Sequence, residues 1–337
     1  MPRFSTFPRS VLAVGLVLAA GLSGCDHFTD PDGPNLTDRF GPFQLVEAVA
    51  ADRATVDFAG GESVVFTAQF NKQTTWVLEI VGQESGAVRR IEGFSRELNA
   101  DNARWSGRTT ELPFFRPEDV VATLSFPDEP DANETTTQVS VQSARTYPGN
   151  VVTGFEQGDP GDIFLGNFEF DFDLSVTGVR TDPPAAEGNA FYRLRGTDAT
   201  LNNFFVGLVR VTSQNANGYF TVPTAIPEDL YLNAFLRNFD AENTIIILEV
   251  VVDANGNGRF DNNDSIIGSG DIRLSEPGWT AFSRPISEFG LDEAQAQQIV
   301  AIRAVLISDN SAQPTPREPV DFGIDYITFT AGAPLEL

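Results

Sequence analysis

Runs of alternating apolar and polar residues recur along this chain and constrain its fold more than any other feature. Ser63–Phe70 and Thr75–Val81 alternate as strands with one buried face do. The turn Gln83–Gly86 leads from the second run into the next, Ala87–Ile91, as in a hairpin. Only Asp292–Gln298 looks helical. With 29 Gly, 21 Pro and 28 Phe among 337 residues, the sequence predicts an all-β fold.

Two β domains are predicted, because a single core stops growing at about 250–300 residues. Residues 39–148 carry about seven strand-like runs, which fits an immunoglobulin-like β-sandwich without the cysteine pair of antibody domains. Residues 150–331 carry about nine, which suits a jelly-roll β-sandwich of two sheets, followed by a tail at 332–337. The turn residues of Tyr147–Asn150 mark the expected joint. Trp76 and Trp105 are expected in the first core.

The first 24 residues have the pattern of a targeting signal. Arg3 and Arg9 precede the apolar run Val11–Leu22, which is too short to span a bilayer and fits a signal-peptide core. The following Leu22–Ser23–Gly24–Cys25 contains the one cysteine of the chain and resembles the bacterial lipobox. That resemblance implies removal of residues 1–24, lipidation of Cys25 and stable membrane anchoring by its acyl chains. Ordinary secretory cleavage beside an incidental cysteine is the alternative.

The chain is strongly acidic, with 47 Asp and Glu against 22 Lys and Arg and a net charge of −25. This charge excludes nucleic acid as a partner, since binding it requires a basic footprint. Residues 25–38 are expected to form an acidic, flexible tether. The protein is therefore expected in the cell envelope, anchored by lipid at the outer membrane. Whether it lies on the periplasmic face or on the cell surface stays open.

The basic residues are almost all arginines, and Lys72 is the one lysine. Together with the acidic surface, this favours a halophilic habitat, because high salt screens self-repulsion. High genomic GC content is an alternative cause of the arginine bias. A melting temperature that does not rise between low and molar salt would contradict the halophilic hypothesis.

The segment Asp253–Asp264 has the residue pattern of a calcium-binding loop. Side chains with oxygen occupy positions 1, 3, 5, 9 and 12, and position 6, where the chain must turn sharply, is Gly258. The pattern resembles EF-hand and dockerin-type loops, although its flanks are strand-like and only one such loop is present. The resemblance implies calcium as a cofactor, bound at about 10⁻⁴–10⁻³ M. An Asn- and Gly-rich turn without metal is the alternative. The implied ligands are Asp253, Asn255, Asn257, Arg259 through its backbone carbonyl, Asp261 and Asp264.

Four segments of the second domain resemble carbohydrate-binding modules of the galactose-binding-like superfold; they are Gly154–Gly158, Gly188–Gly196, Gly278–Phe289 and Phe322–Phe329. The resemblance implies non-catalytic binding of carbohydrate or glycoconjugate. It also implies a second calcium ion held by Glu156 and Asp325, with an acidic surface pair as the alternative. The ligand-binding residues stay unassigned, with Tyr192, Tyr219 and Tyr231 as candidates.

A catalytic role is weighed and not favoured. Glu169, Asp171 and Asp173 alternate along one strand face and resemble the acidic strand of laminarinase-type jelly-roll hydrolases. Asp173 is, however, one methylene shorter than the glutamate expected there, and a solvated acidic strand explains the pattern equally. The protein is therefore expected not to be an enzyme. Two alternatives stay open, a divergent glycoside hydrolase and a purely structural or adhesive lipoprotein, and so does the oligomeric state.

Overall fold

The computed structural model describes residues 41–156, 162–167, 171–197, 205–239, 243–309 and 318–337, and only the backbone of 162–167, 171 and 172. Nearly every element in these ranges is a strand, which confirms the all-β prediction. Residues Gln44–Leu337 form one compact unit. Within the described ranges, no helix has the length and apolar character needed to cross a bilayer. The predicted signal peptide, tether and lipidation site Cys25 fall outside these ranges, as does Glu169.

The first sandwich contains seven strands organised around one long strand. They are β1 (Leu45–Ala51), β2 (Thr55–Asp57), β3 (Val64–Gly82), β4 (Val88–Leu98), β5 (Arg104–Trp105), β6 (Glu118–Ser125) and β7 (Thr135–Ser143). β3 pairs with β1, β4, β5 and β6, and the order continues through β7 to β2. Its register with β4 breaks between Gln69 and Thr74. Lys72 lies in this break, 7% exposed, with its Nζ 2.7 Å from a carboxylate oxygen of Glu129.

Both tryptophans of this sandwich are core residues, as predicted: Trp76 is 0% and Trp105 1% exposed. Each indole N–H is satisfied, by the Ser95 hydroxyl at 2.9 Å and by the Arg108 carbonyl at 3.0 Å. The Trp76 ring lies against Gly93 of β4, where a Cβ would stand 2.3 Å from the ring. A glycine is therefore required beneath the indole.

The second sandwich consists of two sheets and carries the predicted helical stretch. Its strands are β8 (Asn150–Thr153), β9 (Asp162–Asn167), β10 (Asp171–Phe172), β11 (Gly178–Arg180), β12 (Phe191–Thr197), β13 (Phe205–Thr212), β14 (Leu230–Asn238), β15 (Thr244–Val252), β16 (Ser265–Gly268), β17 (Gly278–Pro285), β18 (Ile299–Ser308) and β19 (Val320–Ala331). A 3₁₀ helix (Ile286–Phe289) and α1 (Glu293–Ala296) precede β18. α1 begins at Asp292 with a capping box formed with Gln295, which explains the helix signal.

The two sheets enclose one apolar core. The seven-stranded sheet has the order β10-β12-β19-β14-β17, with β8 and β11 attached, and the five-stranded sheet has the order β16-β15-β18-β13-β9. Alternate residues of β15 face inward, so Ile246, Leu248 and Val250 belong to the core. The odd-numbered residues of β15 lie on the outer face of the five-stranded sheet.

An aromatic cluster joins the sandwiches where the chain passes from β7 to β8. Phe114 stacks on Tyr147, with ring centroids 3.9 Å apart, and meets Phe235 edge-on at 5.2 Å. The Phe114 N–H donates to the Ala186 carbonyl at 2.7 Å. Leu335, in the segment expected as a tail, is only 8% exposed and belongs to the same cluster. The joint is therefore a small core of its own.

Candidate functional site

Asp253 organises the loop that follows β15. It is 3% exposed, and each of its two carboxylate oxygens accepts two hydrogen bonds. Oδ1 accepts from the backbone N–H groups of Asn255 and Gly256, and Oδ2 from the Gly258 N–H at 2.6 Å and the Tyr219 hydroxyl at 2.9 Å. Burial disfavours the charged form, but these donors outweigh burial and hold the pKa of Asp253 below its usual value. The carboxylate is thus ionised and fixed.

Three further predicted ligands converge within this loop. The side-chain amides of Asn255 and Asn257 both donate to Oδ2 of Asp261, at 2.9 and 2.6 Å. The N–H of Asn263 and the Asn255 amide keep the pKa of Asp261 below its usual value. Asp264 closes the loop by accepting the Asp261 N–H at 2.7 Å. Gly258, at position 6, has φ +69, as the sharp turn requires.

These residues match a calcium site in part. Nowhere in the described ranges do three or more His, Cys, Asp or Glu side chains form a group able to hold a metal ion. The loop instead brings one carboxylate, Asp261, together with two amides, whose oxygens would face the carboxylate only after the amides rotate. All four acceptor positions of Asp253 are already engaged, so its evident role is to hold the backbone of the loop.

A neighbouring turn clamps the loop from the side. Gly218 lies so close to Gly258 that a Cβ at position 218 would stand 1.7 Å from the Gly258 carbonyl oxygen. Gly218 also has φ +81, which suits glycine. The next residue, Tyr219, supplies the hydroxyl that binds Asp253. The turn that contains Gly218 and Tyr219 therefore contacts the loop 253–264 closely and helps to fix its position.

The loop also reaches the outer face of the five-stranded sheet. Phe260, at position 8 of the loop, covers the guanidinium of Arg210 on β13, with the Arg210 Cζ 4.0 Å from the ring centroid. Tyr219 and Phe260 pack together against Val251, Val300 and Ala301. Two half-buried aromatic rings thus border this face.

Three charged side chains cross the middle of that face in one line, which we call the polar row: Arg210, Arg303 and Glu249. The register places Arg210 of β13 opposite Arg303 of β18, and Arg303 opposite Glu249 of β15. The Arg303 Nε lies 2.9 Å from Oε2 of Glu249, and these two side chains are only 12% and 16% exposed. Arg303 is thus paired with Glu249, whereas Arg210 lies against the ring of Phe260.

Among the described residues, apolar side chains lie on both sides of the polar row. Beyond the row lies a patch of buried aliphatic side chains on the same sheet, formed by Leu208, Ile245, Val305 and Ile307. Burial raises the pKa of Glu249, although Arg303 acts in the opposite direction. A partly desolvated carboxylate and two guanidiniums can therefore hydrogen-bond a polar ligand with little competition from water.

The candidate tyrosines occupy three different environments. Tyr192 is 6% exposed and packs in the core, with its ring 5.6 Å from that of Phe155. Tyr219 borders the outer face of the five-stranded sheet, with its hydroxyl held by Asp253. Tyr231 lies half-buried on β14 of the other sheet. The structure therefore places only Tyr219 beside the polar row.

Glu156 and Asp325 both bind the loop that precedes β12. Glu156 Oε1 accepts the N–H groups of Asn189 and Ala190, and Asp325 Oδ2 accepts the Glu187 N–H at 2.9 Å. Asp325 is 0% exposed, and burial raises its pKa well above the usual range despite the N–H donors. The two carboxylates thus hold one loop, and the second calcium site stays a prediction.

Of the acidic strand weighed as catalytic, only the Asp173 side chain lies within the described part of the chain. Its carboxylate accepts a hydrogen bond from the Ser175 hydroxyl, which lowers the pKa of Asp173. A general acid of a glycosidase needs a raised pKa instead. Asp173 is therefore poorly suited to that role.

The polar row was missed by sequence reasoning, although each strand carries a signal. β13, β15 and β18 are largely apolar strands, and each contains a single charged residue, which points outward. Each charged residue alone is unremarkable on a solvated face. Only the register shows that Arg210, Arg303 and Glu249 are neighbours.

No family model matches this chain, and no curated protein matches it. Solved structures to which this chain shows a likeness include the CBM22-1–CBM22-2 tandem domain of Paenibacillus barcinonensis Xyn10C, at 12% identity and TM-score 0.35, covering 86% of this chain and 93% of that one. The family 11 carbohydrate-binding module of Clostridium thermocellum, in complex with a β-1,3-1,4-mixed-linked tetrasaccharide, has 14% identity and TM-score 0.35, covering 57% and 99%. SGBP-B of Bacteroides uniformis, from a xyloglucan utilisation locus, has 13% identity and TM-score 0.36, covering 86% and 73%. At these TM-scores, the likenesses carry no inference about what this chain binds.

Proposed function

We propose that this protein binds carbohydrate without catalysis, on the outer face of its five-stranded sheet. The observation that carries the proposal is the half-buried polar row, Arg210, Arg303 and Glu249, beside the rings of Phe260 and Tyr219. A sugar ring offers apolar C–H faces together with hydroxyl groups that both donate and accept hydrogen bonds. Aromatic rings can pack against the C–H faces, and paired guanidinium and carboxylate groups can hydrogen-bond the hydroxyl groups.

Glu249→Gln should weaken binding of a glycan, first selected on a glycan array, at least about tenfold, because hydrogen bonds to charged groups contribute about 1.5–3 kcal/mol. Since burial raises the pKa of Glu249, wild-type affinity should fall as pH drops through a midpoint above that of an ordinary glutamate. The variant should lack this pH dependence. Titration calorimetry over a pH series measures both effects.

The matched control is Glu288→Gln, which removes an exposed carboxylate paired with Arg284 at 3.7 Å. It should leave affinity unchanged, since exposed ion pairs contribute little. Equal affinities for wild type and Glu249→Gln would refute the assignment of the polar row. An array with no bound glycan, with and without calcium, would refute carbohydrate binding itself.

We further propose that the loop 253–264 binds calcium weakly. The convergence of Asn255, Asn257 and Asp261 supports this, with rotated amides supplying oxygens and Arg259 supplying its carbonyl. A bound cation would stabilise the loop that carries Phe260 and so the border of the sugar-binding face. Calorimetric titration with millimolar calcium should show binding and a raised melting temperature. Absence of both would refute the proposal.

The remaining part of the proposal concerns location. Cys25, following a lipobox-like sequence, supports lipid attachment and display at the cell envelope. Mass spectrometry of the protein purified from its own membranes should show an acylated cysteine at the mature N-terminus. An unmodified N-terminus would exclude the anchor.

A further inference from the structure

A cavity of about 280 Å³ lies at the joint between the two sandwiches. Its walls come from both of them, because Arg116 and Tyr147 belong to the first sandwich and the linker, while Glu187 and Asn189 belong to the loop before β12. The Arg116 Nη1 reaches the Asn189 side-chain oxygen at 3.4 Å across the joint. We call this space the joint cavity. None of the residues that line it belongs to the polar row.

Three buried polar atoms of residues lining this cavity have no hydrogen-bond partner among the described residues: Tyr147 Oη, Arg116 Nε and Arg145 Nε. Buried polar groups in folded proteins are paired in the great majority of cases. Leaving such a group without a partner costs about 1–3 kcal/mol. Three of them on one cavity indicate that something polar completes their hydrogen bonds. Burial also raises the pKa of Tyr147, so its hydroxyl keeps its proton and can donate.

The charges around the cavity narrow the chemistry of that occupant. The lining carries two arginines, Arg116 and Arg145, and two glutamates, Glu84 and Glu187. A carboxylate ligand would face the glutamates and a cation would face the arginines, so a neutral ligand fits best. It must both donate and accept hydrogen bonds, as hydroxyl groups do. Phe114, Phe115 and Tyr147 supply apolar wall.

The volume limits the size of the ligand. Sites for drug-sized molecules span about 300–1,000 Å³, so a cavity of about 280 Å³ holds a smaller one. We propose that the joint cavity is a second binding site, which takes one neutral sugar residue between the sandwiches. The choice of ligand class rests on the proposed function, whereas the site does not overlap the polar row.

Tyr147→Phe provides the test, because it removes the hydroxyl while keeping the ring that stacks on Phe114. Ligand-observed saturation-transfer NMR with glucose, galactose and xylose as separate probes measures binding. Whichever of these sugars the wild type binds, the variant should bind it about fivefold more weakly, as the loss of one neutral hydrogen bond predicts. Its melting temperature without sugar should not fall, since the hydroxyl has no protein partner to lose. Tyr231→Phe, the same change on the other sheet, should alter neither quantity.

The outcomes separate this site from the polar row. If Tyr147→Phe weakens sugar binding and Glu249→Gln leaves it unchanged, the result supports the joint cavity as the binding site. Binding that only Glu249→Gln weakens overturns the joint cavity and leaves the proposed function intact. A lower melting temperature for Tyr147→Phe, without a change in sugar binding, shows a water-filled structural cavity and overturns the site. Failure of wild type to bind any of the three sugars overturns it as well; glycan retention on the array then decides the proposed function separately.

Discussion

Gly218→Ala should destabilise the protein by more than about 3 kcal/mol, beyond the usual range for single substitutions. The added methyl group would meet the Gly258 carbonyl oxygen at 1.7 Å. The carbonyl oxygen belongs to the backbone and the Cβ is bonded directly to Cα, so no side-chain rotation relieves the contact, and the turn must separate from the loop 253–264. Calorimetric unfolding measures the loss. The same variant should bind calcium more weakly than wild type, because position 6 of the loop would be displaced.

The matched control is Gly270→Ala. Gly270 has nearly the same backbone angle, φ +76, but a Cβ there would have nothing within 4 Å. Only the intrinsic cost of the left-handed conformation, about 1–2 kcal/mol, is then expected. Equal losses of stability in the two variants would show that the turn and the loop are not in close contact.

Phe114→Ala should cost about 3–5 kcal/mol, the range for removing a fully buried phenylalanine. Phe114 is 4% exposed and touches aromatic rings from both sides of the joint. Because this cluster couples the sandwiches, calorimetry of the variant should also resolve two unfolding transitions where the wild type shows one. The sandwiches would then unfold independently.

Phe94→Ala serves as the control, since the Phe94 side chain is 62% exposed. Surface substitutions usually change stability by less than about 0.5 kcal/mol. A single transition in both variants, with similar midpoints, would mean that the aromatic cluster does not hold the sandwiches together.

Local patterns predicted much of the fold because their causes are local. Alternation in Thr75–Val81 reflects one buried strand face, and β3 contains this run. The stretch Asp292–Gln298 was predicted to be helical, and α1 begins there with a capping box that spans only Asp292 to Gln295. Gly258 was expected to turn the loop and has the left-handed φ this requires. Each of these features depends on residues within one turn or one strand.

The candidate site depends on pairings that are distant in sequence. Arg210 and Arg303 are opposite each other only because β13 and β18 pair in one particular register. A shift by one residue would turn every side chain of the strand to the other face. The joint cavity likewise needs Tyr147 and Glu187 to meet across two sandwiches. No spacing within the sequence reports such contacts.

The buried position of the single lysine has a practical consequence for work with this protein. Lys72 is 7% exposed and its amino group is bound by Glu129. Amine-directed dyes, biotin esters and surface-coupling chemistries will therefore find little to react with besides the N-terminal amine of a soluble fragment. Such a fragment would be labelled at one end and immobilised in one orientation, which leaves the outer face of the five-stranded sheet and the joint unmodified.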